Sequence, residues 1–345
     1  LYGWMRLTVG VASVASQAVA VTAFLSDLIP LAPAWAHIGI PWRPQPILID
    51  LGPRQLIAVL VIAGLAVLNI RGVGKAGRFQ SWVTTIKVLG VLGLISVVAI
   101  VGHAHSATTA VTQSVSPSPI GPSVFSAAVL AAVGVYNGWT NVAMVGGEVQ
   151  DPGRNLPWAL VLGMLIVIGL YVAVNIAYLH VLPMEDILTA NSTAHPTAPS
   201  VAARAAVAAL GPRAGFVLPL LFMISALGAL HCNILAVPRV FFSMARDGLL
   251  PQGLARVSST SHTPAAAITV FASVGATFAV LGSYDRLANM SAFGLVLFYA
   301  LNAVGLLWWR RRDPQGDGHV QRFRRWIPVA FLAGVLWLLV TLGLL

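Results

Sequence analysis

Residues 134 to 149 read GVYNGWTNVAMVGGEV, and they put Gly134, Asn137 and Gly138 about halfway along an apolar stretch. These are poor helix formers, which lowers the cost of unwinding the chain at that point. Non-helical backbone is tolerated at membrane depth only where protein or a water-filled cavity surrounds it. A helix broken there leaves carbonyls without partners at the end of its first half, and that negative dipole end suits a substrate ammonium group. The other reading of the same glycines is close packing at a helix crossing.

Lys87, in FQSWVTTIKVLGVLGLISVVAIV, reads as the one charged side chain well inside an apolar span. Arg78 at the edge of that span is about nine residues away, roughly 13 Å along a helix. A lysine stem cannot bridge that distance, which favours a functional or internally bonded ammonium over one that snorkels. Ser13, Ser16 and Gln17 share one helical face and read first as packing contacts inside a bundle, second as ligand contacts. His231, Cys232 and Asn233 read as interior hydrogen-bonding groups, because one His–Cys pair is too few ligands for a metal. His103 and His105 are a loop pair with the same shortage.

GVGKAG at 72–77 matches a dinucleotide-binding pattern letter for letter. It lacks the preceding strand and the acid about twenty residues on, so it reads as a tight loop. Neither a nucleophile–base constellation nor a metalloprotease or phosphate-loop motif occurs, and the chain is not expected to be an enzyme or to carry a cofactor or metal.

The elements that must position these residues are apolar. Of the 345 residues 58% are hydrophobic and 9% charged, a balance outside the range of soluble domains. Spans of membrane-crossing length are expected at 7–29, 55–70, 79–101, 123–146, 157–182, 215–240, 264–282, 288–309 and 326–345. The weakest is 55–70, about 24 Å as a helix, for which a re-entrant segment is the alternative.

The formal charge of +10 follows topology. Alternate connections hold Arg71, Lys75, Arg78, Arg154, Arg239, Arg246, Arg256 and the arginines at 310–312 and 322–325, with Arg6 on the same side. The opposite connections hold only Arg43, Arg54, Arg204, Arg213 and Arg286. This bias puts the N-terminal end of the chain on the cytoplasmic side of a cell membrane and leaves no basic patch for a nucleic acid. Segments 30–54, 102–122 and 183–213 then read as extracytoplasmic loops, the last with a short helix at 200–210 stopped by Gly211 and Pro212. In QDPGRNLPWAL (150–160), Asn155 is expected to cap the next helix, with Pro157 in its first turn. Cys232 is the single cysteine, so no intrachain disulfide forms.

Residues 134–183, together with PRVFFSMARDGLLP (238–251), FGLVLFYALNAVGLLWWRRRDP (293–314) and IKVLGVLGL around Lys87, resemble the amino acid, polyamine and organocation transporter superfamily, closest to its L-type amino acid transporter branch. The likeness runs from family helix three to helix eleven. It implies an all-α, polytopic membrane protein with a partial five-plus-five inverted-repeat, LeuT-like fold. Residues 1–345 then form a single transmembrane domain, with 1–103 the remainder of the first repeat, 123–309 the second repeat and 326–345 helix eleven. Family helices one, two and twelve lie outside the resemblance, so a longer natural protein is expected. On the same resemblance Gly134, Val135, Tyr136, Asn137, Gly138 and Trp139 surround the break in helix six. Lys87 matches a lysine implicated in coupling or gating, Phe293 an aromatic lining the site, and Ser225 a further contact. Animal members pair with a glycoprotein through a cysteine; residues 30–54 contain none, so no disulfide-linked heavy chain is expected.

The implied function is carriage of a small neutral amino acid across the bilayer by alternating access, as an exchanger or with protons. The alternatives are a cationic amino acid or polyamine transporter, for which the spans offer no deep acid, and a non-transporting membrane sensor or interaction subunit on the same fold.

Overall fold

The structure, a computed structural model, describes residues 2–40, 47–101, 121–190, 198–282, 297–308 and 318–341. Helix α1 (Tyr2–Leu28) leads into an antiparallel hairpin of β1 (Ala36–Ile40) and β2 (Ile47–Leu51), with Ala36 opposite Leu51 and Ile40 opposite Ile47. The 30–54 segment is therefore not all loop. Helices α2 (Pro53–Ile70) and α3 (Val73–Val101) follow, joined only by Arg71 and Gly72. The GVGKAG stretch is thus mostly the first turn of α3, not a loop.

Next come α4 (Pro122–Val135), α5 (Thr140–Met144) and a 3-10 turn over Gly146–Glu148. Helix α6 (Pro152–Val181) starts a turn earlier than the sequence predicts. Pro152, not Pro157, holds the first position, and the Asn155 side chain donates to the Gln150 carbonyl at 2.6 Å instead of capping. The short helices α7 (Met184–Leu188) and α8 (Val201–Leu210) lead to α9 (Ala214–Arg246), α10 (Ala265–Leu281), α11 (Leu297–Trp308) and α12 (Gly318–Thr341). Helix α8 is the one expected at 200–210. Ser200 Oγ accepts from the Ala203 N–H at 3.2 Å, and Gly211 ends the helix with φ +58°.

Among the described residues, five stretches are long and apolar enough to cross a membrane: Val9–Leu28, Pro53–Ile70, Val73–Ile100, Pro152–Val181 and Val201–Arg246. Apolar helices α10, α11 and Trp326–Leu338 of α12 are shorter. Exposed apolar residues concentrate on the outward faces, for example Leu89, Leu162, Leu165 and Ile176, a surface that lipid would cover.

The core is built by α1, α2, α9 and α10, whose Val11, Ile62, Ile234 and Phe271 are buried in one cluster. In lipid the packing itself, rather than escape from water, holds such helices together. Small residues let them approach: a Cβ on Gly275 would lie 2.9 Å from Val14 Cγ1, and one on Gly228 would lie 2.7 Å from Val83 Cγ1. The ring of Phe241 meets that of Phe271 edge-on at 5.6 Å. Thr263 Oγ1 donates to the Ile70 carbonyl at 3.0 Å, pairing one of the groups left over at the end of α2.

Candidate functional site

The 123–146 span is broken. Helix α4 ends at Val135, residues 136–139 form a turn, and α5 restarts at Thr140. The last helix-type bond runs from the Tyr136 N–H to the Ala132 carbonyl at 3.0 Å, and the chain then re-forms through the Asn141 N–H and the Gly138 carbonyl at 3.1 Å. Gly138 takes φ +131°, a conformation that side-chain-bearing residues reach only with strain. A Cβ there would meet nothing within 4 Å, so the demand for glycine is set by the backbone and not by crowding. Gly134 and Val135 remain helical, and the break opens slightly later than the sequence places it.

The carbonyl end of α4 does not stand alone. Tyr171 of α6 donates its hydroxyl to the Val135 carbonyl at 3.2 Å, and the rings of Tyr136 and Tyr171 meet edge-on at 5.0 Å. Trp139 lies against Tyr299 of α11 at 6.0 Å, and the Tyr299 hydroxyl donates to Asn137 Oδ1 at 3.0 Å.

Beside the break is a cavity of about 600 Å³. From the break it takes Asn137, Gly138, Thr140 and Asn141; from α3, Gln80 and Lys87; from α9, Ser225, Cys232 and Asn233. The face that α1 presents is Arg6, Gly10, Ser13, Gln17, Ala20 and Phe24, a stripe at helical spacing, with Ser16 beside it. Phe24 and Phe222 meet at 5.4 Å on its wall. The structure therefore brings together four of the expected site residues, Lys87, Asn137, Gly138 and Ser225, along with Ser13, Ser16, Gln17, Cys232 and Asn233. Val135 just before the break, and Tyr136 and Trp139 within it, do not line the cavity; Gly134 stays in α4, and Phe293 lies outside the described residues. Lys87 is half-buried on the cavity wall; Ser13, Ser16 and Gln17 line the same cavity, and Ser16 and Gln17 also make internal hydrogen bonds.

Two cations that the sequence placed in connections are in fact buried within helices. Arg6 is 5% exposed, and its Nη2 donates to Thr140 Oγ1 at 2.7 Å, tying α1 to the restart of the broken helix. Arg239 is 7% exposed and donates to Glu148 from Nε and Nη2, at 2.9 and 3.3 Å, tying α9 to the turn after α5. The signal that could have found Arg6 is its place on the 6–10–13–17 stripe.

Amides complete the wall. Asn233 Nδ2 donates to Gln17 Oε1 at 3.0 Å and to the Ala229 carbonyl at 3.3 Å, while Asn141 Nδ2 lies 3.5 Å from Asn233 Oδ1 and from Cys232 Sγ. His231 is buried, with Nδ1 2.7 Å from Gln80 Oε1 and its ring edge-on to Phe79, so it makes the interior bond expected of it and does not pair with the neighbouring thiol. The arrangement offers hydrogen bonds and positive charge to a small molecule.

The chain matches the amino acid permease family model over residues 1–345. It is 31% identical over 263 residues to the serine/threonine exchanger SteT of Bacillus subtilis, covering 76% of this chain and 57% of that protein. It is 28% identical over 179 residues to the human cystine/glutamate transporter, covering 52% of this chain and 34% of that one. With the human b(0,+)-type amino acid transporter 1 the identity is 27% over 172 residues, or 50% of this chain and 34% of the transporter. The chain thus spans between about a third and somewhat over half the length of these relatives. With a family match from end to end and helices fit to cross a bilayer several times, this multi-pass membrane protein belongs to the amino acid permease family.

Proposed function

We propose that the protein carries amino acids across the cell membrane by alternating access, with the cargo held in the cavity beside the break between α4 and α5. The observation that carries this reading is the interruption at 136–139 opening onto a space of about 600 Å³ that Lys87 also lines. A discontinuous helix at mid-membrane is how many secondary carriers make a site: one half ends in carbonyls that accept an ammonium, while irregular backbone stays inside protein. The relatives are named as exchangers and transporters of amino acids, which supports the same cargo class.

The cavity wall carries Arg6 and Lys87, and among the described residues no Asp or Glu lines it. Two fixed cations disfavour a cationic amino acid or polyamine by direct repulsion in a poorly screened space. That repulsion rules against a positively charged side chain, and the cargo we assign is a neutral amino acid. The architecture that goes with this function is nine crossings, the remainder of a first repeat at 1–103, an inverted second repeat at 123–309, and a last helix at 326–345. The placement of arginines and lysines supports a cytoplasmic start for this chain.

The test is uptake of labelled neutral amino acids into liposomes holding the full-length protein, with and without a pH gradient and with unlabelled amino acids inside. Stimulation by internal substrate marks exchange, and stimulation by an acid exterior marks proton symport. Lys87→Ala should abolish uptake or uncouple it from its driving gradient. Full gradient-driven uptake by that variant removes Lys87 from the mechanism, and substrate binding without flux in the native protein leaves a sensor on a carrier fold.

A further inference from the structure

We propose that Asn141, held by Asn233 and Gln17, selects cargo whose side chain carries a hydroxyl or amide donor; this rests on the reading of the cavity as the cargo site. The argument starts from a backbone group. Asn233 Nδ2 lies 3.3 Å from the Ala229 carbonyl, which can only accept, so the nitrogen of that amide must face it. The same nitrogen donates to Gln17 Oε1 at 3.0 Å, and Asn233 Oδ1 is left turned toward Asn141. Facing that acceptor, Asn141 turns its own nitrogen inward, 3.5 Å from Asn233 Oδ1 and 3.5 Å from Cys232 Sγ, two long contacts that favour this orientation. The chain of amides thus has one sense, fixed at its anchored end.

Its other end is Asn141 Oδ1, which has no hydrogen-bond partner among the described residues and belongs to a residue on the cavity wall. Asn233 is itself 8% exposed, so the anchor is rigid. The contacts to Asn141 are long, which tethers its amide without locking it. On α9, Ser225 also faces the cavity with no partner among the described residues, and Ala226, Gly228 and Ala229 line the adjoining wall without filling it. The cavity wall thus presents an acceptor at Asn141 and, about two helical turns away along α9, the hydroxyl of Ser225. A side chain with an O–H or N–H satisfies the acceptor, whereas an apolar isostere strips water from it and gives nothing back.

Threonine and valine test this directly, because they share a shape and differ by one donor. Competition against labelled uptake by the full-length protein in liposomes should show threonine inhibiting at concentrations roughly tenfold lower than valine, with serine ahead of alanine in the same sense. In Asn141→Leu the threonine-to-valine ratio should fall to within about twofold of unity, since a single hydrogen bond is all that separates the two cargoes. Asn233→Leu, which removes the anchor, should lower the ratio while leaving Asn141 in place. Where Asn141→Leu fails to accumulate in the membrane, Asn141→Ala gives the same readout. A native protein that treats threonine and valine alike, or an Asn141 variant that keeps the full preference, overturns the assignment. A native protein that takes up no amino acid at all fails the carrier reading itself, a result separate from loss of the ratio.

Discussion

Tyr171 of α6 gives its hydroxyl hydrogen to the carbonyl of Val135, the last residue of α4, at 3.2 Å. The broken helix therefore does not end in bare carbonyls: one is paired by a neighbouring helix, and its second lone pair stays available. Tyr171→Phe keeps the edge-on ring contact with Tyr136 and removes only this bond. We expect a loss of about 1 kcal/mol, the usual net value of one internal hydrogen bond, read as a lower unfolding midpoint of the full-length protein in detergent. An unchanged midpoint would show that the bond does not hold the end of α4 in place.

Gly138→Ala isolates the backbone. Because a Cβ at Gly138 meets nothing within 4 Å, the substitution adds no clash, and its whole effect is the strain of holding alanine at φ +131°. Such strain costs about 1–3 kcal/mol, and either the break adjusts or the folded state weakens. Half-saturation for uptake should rise roughly tenfold. A variant with native half-saturation and native expression would mean that this φ is dispensable.

Glu148→Gln removes the counter-charge of a guanidinium that is 7% exposed, while the carboxylate it replaces is itself 35% exposed. Partial solvation of the acid tempers the penalty, so the loss should be about 1–3 kcal/mol and not that of a fully buried pair. Adding Arg239→Met should recover part of that loss, because no unpaired cation then remains. If the double variant is less stable than either single one, the ion pair is not the source of the penalty.

The break was legible because Asn137 and Gly138 carry a local signal, low helix propensity, that survives folding. Its start was not, since Gly134 and Val135 stay helical once α6 pairs their end. The hairpin was not legible because ILIDL lacks a clean alternation, with Ile47, Leu48 and Ile49 apolar in a row, and Pro41, Pro44 and Pro46 between the two strands read as loop. Arg6 and Arg239 looked like charges in connections because their partners stand far off in sequence, Thr140 by 134 residues and Glu148 by 91. The stripe of α1 that lines the cavity was visible in part through Ser13 and Gln17, but what faces it depends on α9, and helical spacing alone does not say which helix packs opposite.

The central claim, that cargo sits in the cavity beside the break, is tested most directly at Cys232, the single cysteine of the chain and part of the cavity wall. The measurement is the rate at which a small charged methanethiosulfonate modifies Cys232 in the full-length protein with every other cysteine replaced, with and without a transported amino acid. At ten times its Kd a cargo that fills this space should slow the reaction about tenfold, since about one site in eleven stays free. A rate indifferent to saturating cargo would contradict the account.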